Sequence, residues 1–216
     1  MKSQCFGKAK MGTYGINMDD GKVFRATEES LAKLAAFLGL DSIAPGRYSR
    51  LFMLKMAFYQ WQGVGPECIV EELKALEGLP HIDMCTKPES QFTNVPLKGL
   101  WHKHFFDARF IPHNIAVQMP KKRLRELAER IFDPARSPTV TREMIEEWAH
   151  ALSHGALEER ANHGNLTGEW IVFARHHGQN YYLTLDIHPR DKAGDQKIHD
   201  EISRMAYAEF PFLAAQ

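Results

Sequence analysis

The sequence predicts an α+β protein, with an N-terminal helical bundle and a small C-terminal antiparallel sheet packed with helices. Two patterns lead to this prediction. In the first hundred residues, apolar positions recur at spacings of three and four, which is typical of amphipathic helices. Residues 169–188 contain two runs of strand-forming residues separated by Gly178 and Gln179, which is typical of a β-hairpin.

The composition is that of a globular protein. Of the 216 residues, 44% are hydrophobic and 25% are charged, so wholesale disorder is not expected. No apolar run approaches the roughly 18–20 residues that cross a bilayer, and no apolar segment follows the basic N-terminus as in a secretory signal. The three cysteines include no C-x-x-C pair, which argues against a disulfide framework. We therefore expect a cytoplasmic protein that does not contact a membrane.

Three helices are predicted in the first 80 residues. Thr27 caps the first helix, and Gly39 ends it. The second spans about 47–61, and Pro66 opens the third. Short connections between amphipathic helices are typical of a small bundle, so residues 1–97 are assigned to a mainly helical N-terminal region.

The second region, residues 98–216, follows a loop. Residues 79–97 contain three prolines and no periodicity, which predicts an irregular junction. Residues 98–113 fit either a strand or a helix. Two helices are then predicted, the first basic and beginning after Pro120 and the second from about 141 to 160. The hairpin and a final helix, from about 195 to 208, complete the region.

Charge is balanced overall but uneven along the chain. The 27 basic residues equal the 27 acidic ones, so there is no global nucleic-acid signature. From Lys98 to Arg136, however, the sequence contains nine Lys and Arg residues but only four acidic residues. Ten of the eleven histidines lie at or beyond His102. A local excess of positive charge of this kind can bind phosphate groups, or it can be an ordinary solvated helix face.

The predicted hairpin places polar side chains on one face. A type II′ turn at Gly178 and Gln179 would pair His177 with Asn180 and Arg175 with Tyr182. The alternation of strand residues would then bury one face. The other face would display an acid, a cation, two imidazoles and a phenol.

This set of groups matches the needs of metal-independent RNA cleavage. The reaction needs a base for the 2′-hydroxyl, an acid for the leaving oxygen and a cation for the phosphorane. Histidines would transfer the protons, arginines would balance the phosphate charge and the tyrosine would assist. The candidate catalytic residues are His102, His104, Arg109, Arg175, His177, Tyr182 and His188.

A terminal hairpin with Arg, Tyr and His on its face, preceded by helices and a His-Lys-His segment, resembles the barnase–EndoU–colicin–RelE-like RNase superfamily. The resemblance covers residues 98–208 and rests on architecture and residue types. It implies a metal-independent ribonuclease that needs no cofactor, of a kind common among toxins and mobile elements, with RNA as its partner. It does not cover residues 1–97, where we expect the helices to regulate the site or to bind a protein partner.

Two alternatives remain open at this stage. The protein could be a non-enzymatic interaction or regulatory protein, with the aromatic and basic surface around residues 98–125 as its contact. It could also be a metal-dependent enzyme, because Glu147, His150 and His154 follow the spacing that places ligands on one stripe of a helix. The same three residues also fit a solvated helix face.

The predicted junction can be tested by limited proteolysis. We expect the first cuts within residues 79–97, giving fragments near 1–80 and 98–216, because exposed loops are cut before packed elements. Mass spectrometry of the fragments over time measures this. Uniform resistance through the stretch would mean that the loop is packed and the chain unfolds as one unit.

Overall fold

The structure, a computed structural model, describes residues 12–18, 21–107, 111–163, 168–187 and 192–214. In those ranges the chain forms helices, a two-stranded sheet and a four-stranded antiparallel sheet, so the predicted α+β class is confirmed. None of the helices in these ranges combines the length and the apolar character that a membrane crossing requires.

The described chain starts with a short hairpin. Strand β1 (Thr13–Asn17) pairs antiparallel with β2 (Val23–Thr27). Thr27 ends β2 and caps α1 (Glu28–Phe37). The Thr27 side chain accepts from the Ser30 N–H at 3.2 Å, and Ser30 Oγ accepts from the Thr27 N–H at 2.9 Å. This capping box confirms Thr27 as the start of the first helix.

Three more helices follow in the N-terminal region. They are α2 (Leu40–Ile43), α3 (Arg50–Trp61) and α4 (Pro66–Leu76). Ser49 caps α3 by accepting from the Phe52 N–H at 3.0 Å. Pro66 lies in the first turn of α4, where a missing N–H costs no helical hydrogen bond. The predicted second and third helices are therefore confirmed.

The larger sheet has the strand order β3–β4–β5–β6, with every neighbouring pair antiparallel. Its strands are β3 (Ser90–Gln91), β4 (Trp101–Phe105), β5 (Glu169–His176) and β6 (Gln179–Asp186). The segment that fitted a strand or a helix thus contains a strand. Within it, His102 pairs with Val172 and His104 pairs with Trp170.

The β5–β6 hairpin is present, but its predicted turn is wrong. The turn residues are His177 and Gly178, with φ of 48° and 76°. Positive φ at both central positions is typical of a type I′ turn, whose twist matches the flanking strands. Arg175 consequently pairs with Asn180 and not with Tyr182.

A bulge shifts the register again further along the hairpin. Phe173 pairs with Tyr182, whereas Val172 pairs with Thr184, so Leu183 is the extra residue on β6. A shift of one residue exchanges the faces on which side chains lie. The face assignment that the predicted register implied is therefore wrong for part of β6.

Both faces of the sheet are covered. The first face packs against α1–α4, and the sheet residues buried there are Phe105, Ile171, Phe173, Tyr182 and Leu185. The second face packs against the C-terminal helices, and the sheet residues buried there are Trp170, Val172, Ala174 and Leu183. We predicted one buried and one displayed face of the hairpin, and the burial of both faces corrects that prediction.

The helices on the second face follow β6. They are α9 (Lys192–Glu201), a π-helical turn (Ile202–Ala206), α10 (Tyr207–Glu209) and a 3₁₀ turn (Pro211–Leu213). Ile198, Ile202 and Leu213 are buried against the sheet. The predicted final helix is thus confirmed.

A helical segment lies between β4 and β5 in the sequence. Its helices are α5 (Ile111–Gln118), α6 (Lys121–Ile131), α7 (Arg142–His150) and α8 (Ala156–Asn162), with a π-helical turn at Ala151–Gly155 between the last two. α5 packs on α8, and α6 packs on α7. The basic helix after Pro120 and the long helix predicted over 141–160 are both present.

The N-terminal helices share a core with the sheet. The ring of Phe52 on α3 lies 5.9 Å from the ring of Tyr182 on β6, and Tyr59 contacts Phe105 edge-on at 5.6 Å. The boundary between residues 97 and 98 stays a prediction. Because of the shared core, we expect a chain cut within 79–97 to stay associated until it is denatured.

A buried lysine ties three elements together. Lys55 Nζ on α3 lies 2.8 Å from Asp186 Oδ2 at the end of β6 and 2.9 Å from Glu201 Oε2 on α9. Burial alone lowers the pKa of Lys55, but the two carboxylates outweigh it and hold the pKa above its ordinary value. Lys55 is therefore charged and bridges both faces of the sheet.

Replacing this lysine should destabilise the fold strongly. We expect Lys55→Met to lower the free energy of unfolding by about 3–5 kcal/mol, because two partly buried carboxylates lose their cation. The matched control is Arg142→Met, which removes an exposed pair with Glu146 and should cost under about 0.5 kcal/mol. Urea denaturation measures both. Similar small losses for the two variants would contradict the bridging role of Lys55.

Candidate functional site

The residues predicted as catalytic do not converge on one site. Arg109 and His188 lie outside the described residues. Tyr182 is 0% exposed, and its hydroxyl donates to Glu77 Oε1 at 2.7 Å. Burial, together with this hydrogen bond, raises the pKa of Tyr182 well above its ordinary range. The phenol is therefore an internal hydrogen-bond donor and cannot contact a substrate.

Glu77 is the centre of a buried network. Besides Tyr182, Glu77 accepts from Arg47 Nη1 at 3.0 Å and from Asn180 Nδ2 at 3.1 Å. Burial raises the pKa of Glu77, but the hydrogen bonds from Arg47, Tyr182 and Asn180 together hold it below its usual range. The network fixes the end of α4 to β6, and its role is structural.

The two histidines of β4 lie on the second face of the sheet. His104 is 6% exposed, and its Nδ1 lies 3.0 Å from the carbonyl oxygen of Gly168. His102 is half-buried, with its ring 4.5 Å from Phe92 and 4.8 Å from Trp170. The surroundings of this pair are mostly aromatic.

Arg175 is far from the histidine pair. Arg175 lies two residues after Phe173, which pairs with Trp101, so it is on the first face of the sheet. Its guanidinium carbon lies 3.9 Å from the centroid of the Trp101 ring. His104 pairs with Trp170, five residues earlier on β5, which corresponds to about 16 Å along a strand. His102, His104 and Arg175 therefore cannot act on one phosphate.

Arg175 instead lines a cleft beyond the end of β4. The cleft has a volume of about 570 Å³ and lies between residues 91–101, the end of β5 and the C-terminal helices. We call it the basic cleft. Its polar and aromatic lining consists of Gln91, Lys98, Trp101, Arg175, His199 and Tyr207. Among the described residues that line it, none is an acid.

A tight loop positions Lys98 at the cleft. The Phe92 N–H donates to the carbonyl of Leu100 at 2.8 Å, and the Gly99 N–H donates back to Phe92 at 3.1 Å. Leu97 and Leu100 are buried and anchor the loop on the second-face core. Gly99 has φ of 95°, which only glycine adopts readily. Lys98 is thus exposed on a loop that the buried Leu97 and Leu100 hold in place.

The contacts of Arg175 hold its guanidinium in place. Arg175 Nε donates to Asn180 Oδ1 at 3.2 Å, and Nη2 donates to Glu89 Oε1 at 3.0 Å. Burial raises the pKa of Glu89, but its own backbone N–H and Arg175 bring the pKa below its usual value. Glu89 therefore balances part of the charge, and the side chain of Arg175 remains 36% exposed.

Helices α9 and α10 contribute the proton-transfer candidates. His199 is half-buried, with Nδ1 3.8 Å from Asp200 Oδ1. Tyr207 is half-buried, and burial raises its pKa, so the phenol is protonated at neutral pH. An imidazole can accept a proton and a phenol can donate one.

His199 and Tyr207 are not among the site residues that the sequence predicts. Both belong to the predicted final helix, eight residues apart, so a helix would bring them roughly onto one side. That spacing was the available signal. Lys98 was noted only as part of the basic segment and not as a catalytic residue. His177 was predicted to be catalytic. It is exposed in the hairpin turn, and its ring centroid lies 4.0 Å from that of His176.

The described residues cover the metal alternative only in part. Glu147 Oε2 accepts from Arg136 at 3.0 Å, and the side chain of His154 lies outside the described part of the chain. Within the described residues, no group of three or more His, Cys, Asp or Glu side chains is arranged to hold a metal ion.

A second concavity, of about 240 Å³, lies between α1 and α3. Its main charged groups already pair with each other. Arg50 contacts Glu28 Oε2 at 2.9 Å and Glu209 Oε2 at 3.2 Å, and Asp41 accepts from Tyr48 at 2.5 Å. The basic cleft is therefore the better candidate site.

The structural role of Tyr182 can be tested directly. We expect Tyr182→Phe to lower the free energy of unfolding by about 1–2 kcal/mol, because Glu77 loses a buried donor. The control Tyr181→Phe, whose hydroxyl makes only a 3.4 Å contact with Gln179, should cost under about 0.5 kcal/mol. Chemical denaturation compares the two. Equal stability of both variants would contradict the buried network.

No protein-family model, curated protein or solved structure matches this chain. The resemblance to the RNase superfamily therefore stays a prediction.

Proposed function

We propose that this protein binds single-stranded RNA in the basic cleft and cleaves it without a metal. One observation carries the proposal: the cleft collects two cations, an imidazole and a phenol on one surface. These are the groups that metal-independent RNA cleavage requires. Arg175 would still bind the phosphate, as predicted from the sequence. Lys98, His199 and Tyr207 would take the roles that the sequence predicted for the other candidate residues.

The cations would bind the scissile phosphate. Lys98 is exposed at the tip of its loop, and Arg175 presents a planar guanidinium that suits phosphate oxygens. Since Glu89 balances part of the charge of Arg175, Lys98 supplies the less compensated positive charge. Both would stabilise the additional negative charge of the phosphorane.

Proton transfer would use the two C-terminal groups. His199 would remove the proton from the 2′-hydroxyl, whose oxygen then attacks phosphorus. Tyr207 would give its proton to the 5′-oxygen as the bond from that oxygen to phosphorus breaks. The products would be a 2′,3′-cyclic phosphate and a 5′-hydroxyl. His199 would then be protonated and Tyr207 deprotonated.

A non-enzymatic interaction protein is the second candidate. It is favoured by the contacts of Arg175 with Asn180, Glu89 and Trp101, which are those of a structural residue. A cleft of this kind could hold an anionic ligand without transforming it. Phe37 and Trp61, which are 81% and 60% exposed, favour the further proposal that the N-terminal helices bind a protein partner, in the cytoplasm.

Cleavage of a labelled oligoribonucleotide in excess EDTA tests the proposal. We expect the wild type to cut it and a 2′-O-methyl version to remain intact, because that version lacks the nucleophile. His199→Ala and Lys98→Ala should each lower the rate by roughly 10²-fold, the usual scale for losing a proton-transfer or charge-stabilising group.

The matched control is His81→Ala, which removes an exposed histidine outside the cleft and should leave the rate unchanged. Identical purification of every variant controls for contaminating nucleases. RNA binding without cleavage would support the interaction protein instead. Cleavage that persists in His199→Ala at the wild-type rate would refute the assignment of the site.

A further inference from the structure

A group of aromatic rings lies at the tip of the β5–β6 hairpin. The rings are those of His176, His177, Tyr181, Phe210 and Phe212. Phe212 lies 4.8 Å from His176 and 5.1 Å from Tyr181, measured between ring centroids. We call this group the aromatic platform. It lies where the tip of the β5–β6 hairpin meets the C-terminal 3₁₀ turn.

The platform has a buried and an exposed side. Phe210 is buried and Tyr181 is half-buried, so these two rings form its base. Phe212 is 41% exposed, and His177 is also exposed. The platform therefore exposes part of the Phe212 and His177 side chains to solvent.

Backbone hydrogen bonds hold the turn that carries Phe212. The Phe210 N–H donates to the carbonyl of Ala206 at 2.9 Å, and the Leu213 N–H donates to the carbonyl of Phe210 at 3.0 Å. Leu213, directly after Phe212, is buried against the second face of the sheet. A ring on such a turn loses little conformational entropy when a ligand stacks on it.

The platform and the basic cleft are carried by neighbouring residues of the chain. Arg175 lines the cleft and precedes His176, whereas Leu213 lines the cleft and follows Phe212. The two elements that carry the platform thus also carry the cleft. A ligand with one phosphate in the cleft would reach the platform with a neighbouring group.

We propose that the aromatic platform stacks an unpaired nucleobase of the RNA whose phosphate lies in the basic cleft. This inference rests on the proposed function and names its substrate class: single-stranded RNA with little sequence preference. Every base has a π face, so stacking tolerates any sequence, and a base within a duplex is not accessible to an aromatic ring. The cations contribute affinity through the phosphates, and the platform selects single strands.

Binding of 2′-O-methyl oligonucleotides, which the proposed reaction cannot cut, tests the inference by fluorescence anisotropy. The wild type should bind the single strand and should bind the matching duplex more weakly. Phe212→Ala and Phe212→Leu should each weaken single-strand binding about tenfold, within the range for loss of one base–aromatic stack. Phe212→Trp should retain wild-type affinity. Thermal melting checks that each variant is folded.

Controls separate stacking from charge. Phe37→Ala removes an even more exposed phenyl ring on α1 and should leave binding unchanged. Phe212→Ala should keep the wild-type dependence of affinity on salt, whereas Lys98→Ala should reduce the slope of log K against log salt by about 0.7, the contribution of one phosphate contact in a single strand.

The outcomes distinguish this inference from the proposed function. Wild-type affinity in Phe212→Leu, or equal binding of duplex and single strand, would overturn the stacking role and leave the basic cleft in place. A wild-type protein that binds neither oligonucleotide would overturn both. Weakening in Phe212→Ala and Phe212→Leu with retention in Phe212→Trp would support both.

Discussion

The burial of the β5–β6 hairpin on both faces is the constraint on which the rest of the structure depends. Strands covered on both sides cannot leave polar groups unpaired without a large cost in free energy. Three polar residues of the hairpin accordingly have internal partners. Asp186 pairs with Lys55, and both Tyr182 and Asn180 donate to Glu77. The same contacts attach α3 and α4 to the sheet, so one set of interactions satisfies the strands and joins the N-terminal helices to them.

Because both faces of the sheet are covered, the accessible polar side chains of the proposed site lie at the end of the sheet. Where β5 passes the end of β4, Arg175 leaves the covered region and lines the basic cleft with Lys98, His199 and Tyr207. A loop anchored by buried leucines and the C-terminal helices bring these groups to one surface. The proposed RNA site therefore combines residues that are distant in sequence, held by elements whose main role is to cover the two faces.

Local interactions made much of the fold predictable, whereas the site depended on tertiary ones. Thr27 as a cap, Pro66 at a helix start and the existence of the hairpin follow from neighbouring residues. The register did not, because His177 adopts a positive φ that non-glycine residues rarely take, and because a bulge at Leu183 has no clear signal in the sequence. Tyr182 was predicted on a displayed face because no local pattern showed that α1–α4 would cover that face, and none indicated that α9 and α10 would meet the loop around Lys98.

The most direct test of the account is to map where RNA contacts the protein. Single-stranded RNA that carries 4-thiouridine can be photocrosslinked to the full chain, and the crosslinked peptides can be identified by mass spectrometry. We expect crosslinks in residues 91–101, 174–177 and 199–214, which line the basic cleft and carry most of the aromatic platform. Crosslinks confined to the basic helix Lys121–Ile131, or spread without preference over the surface, would contradict the central claim.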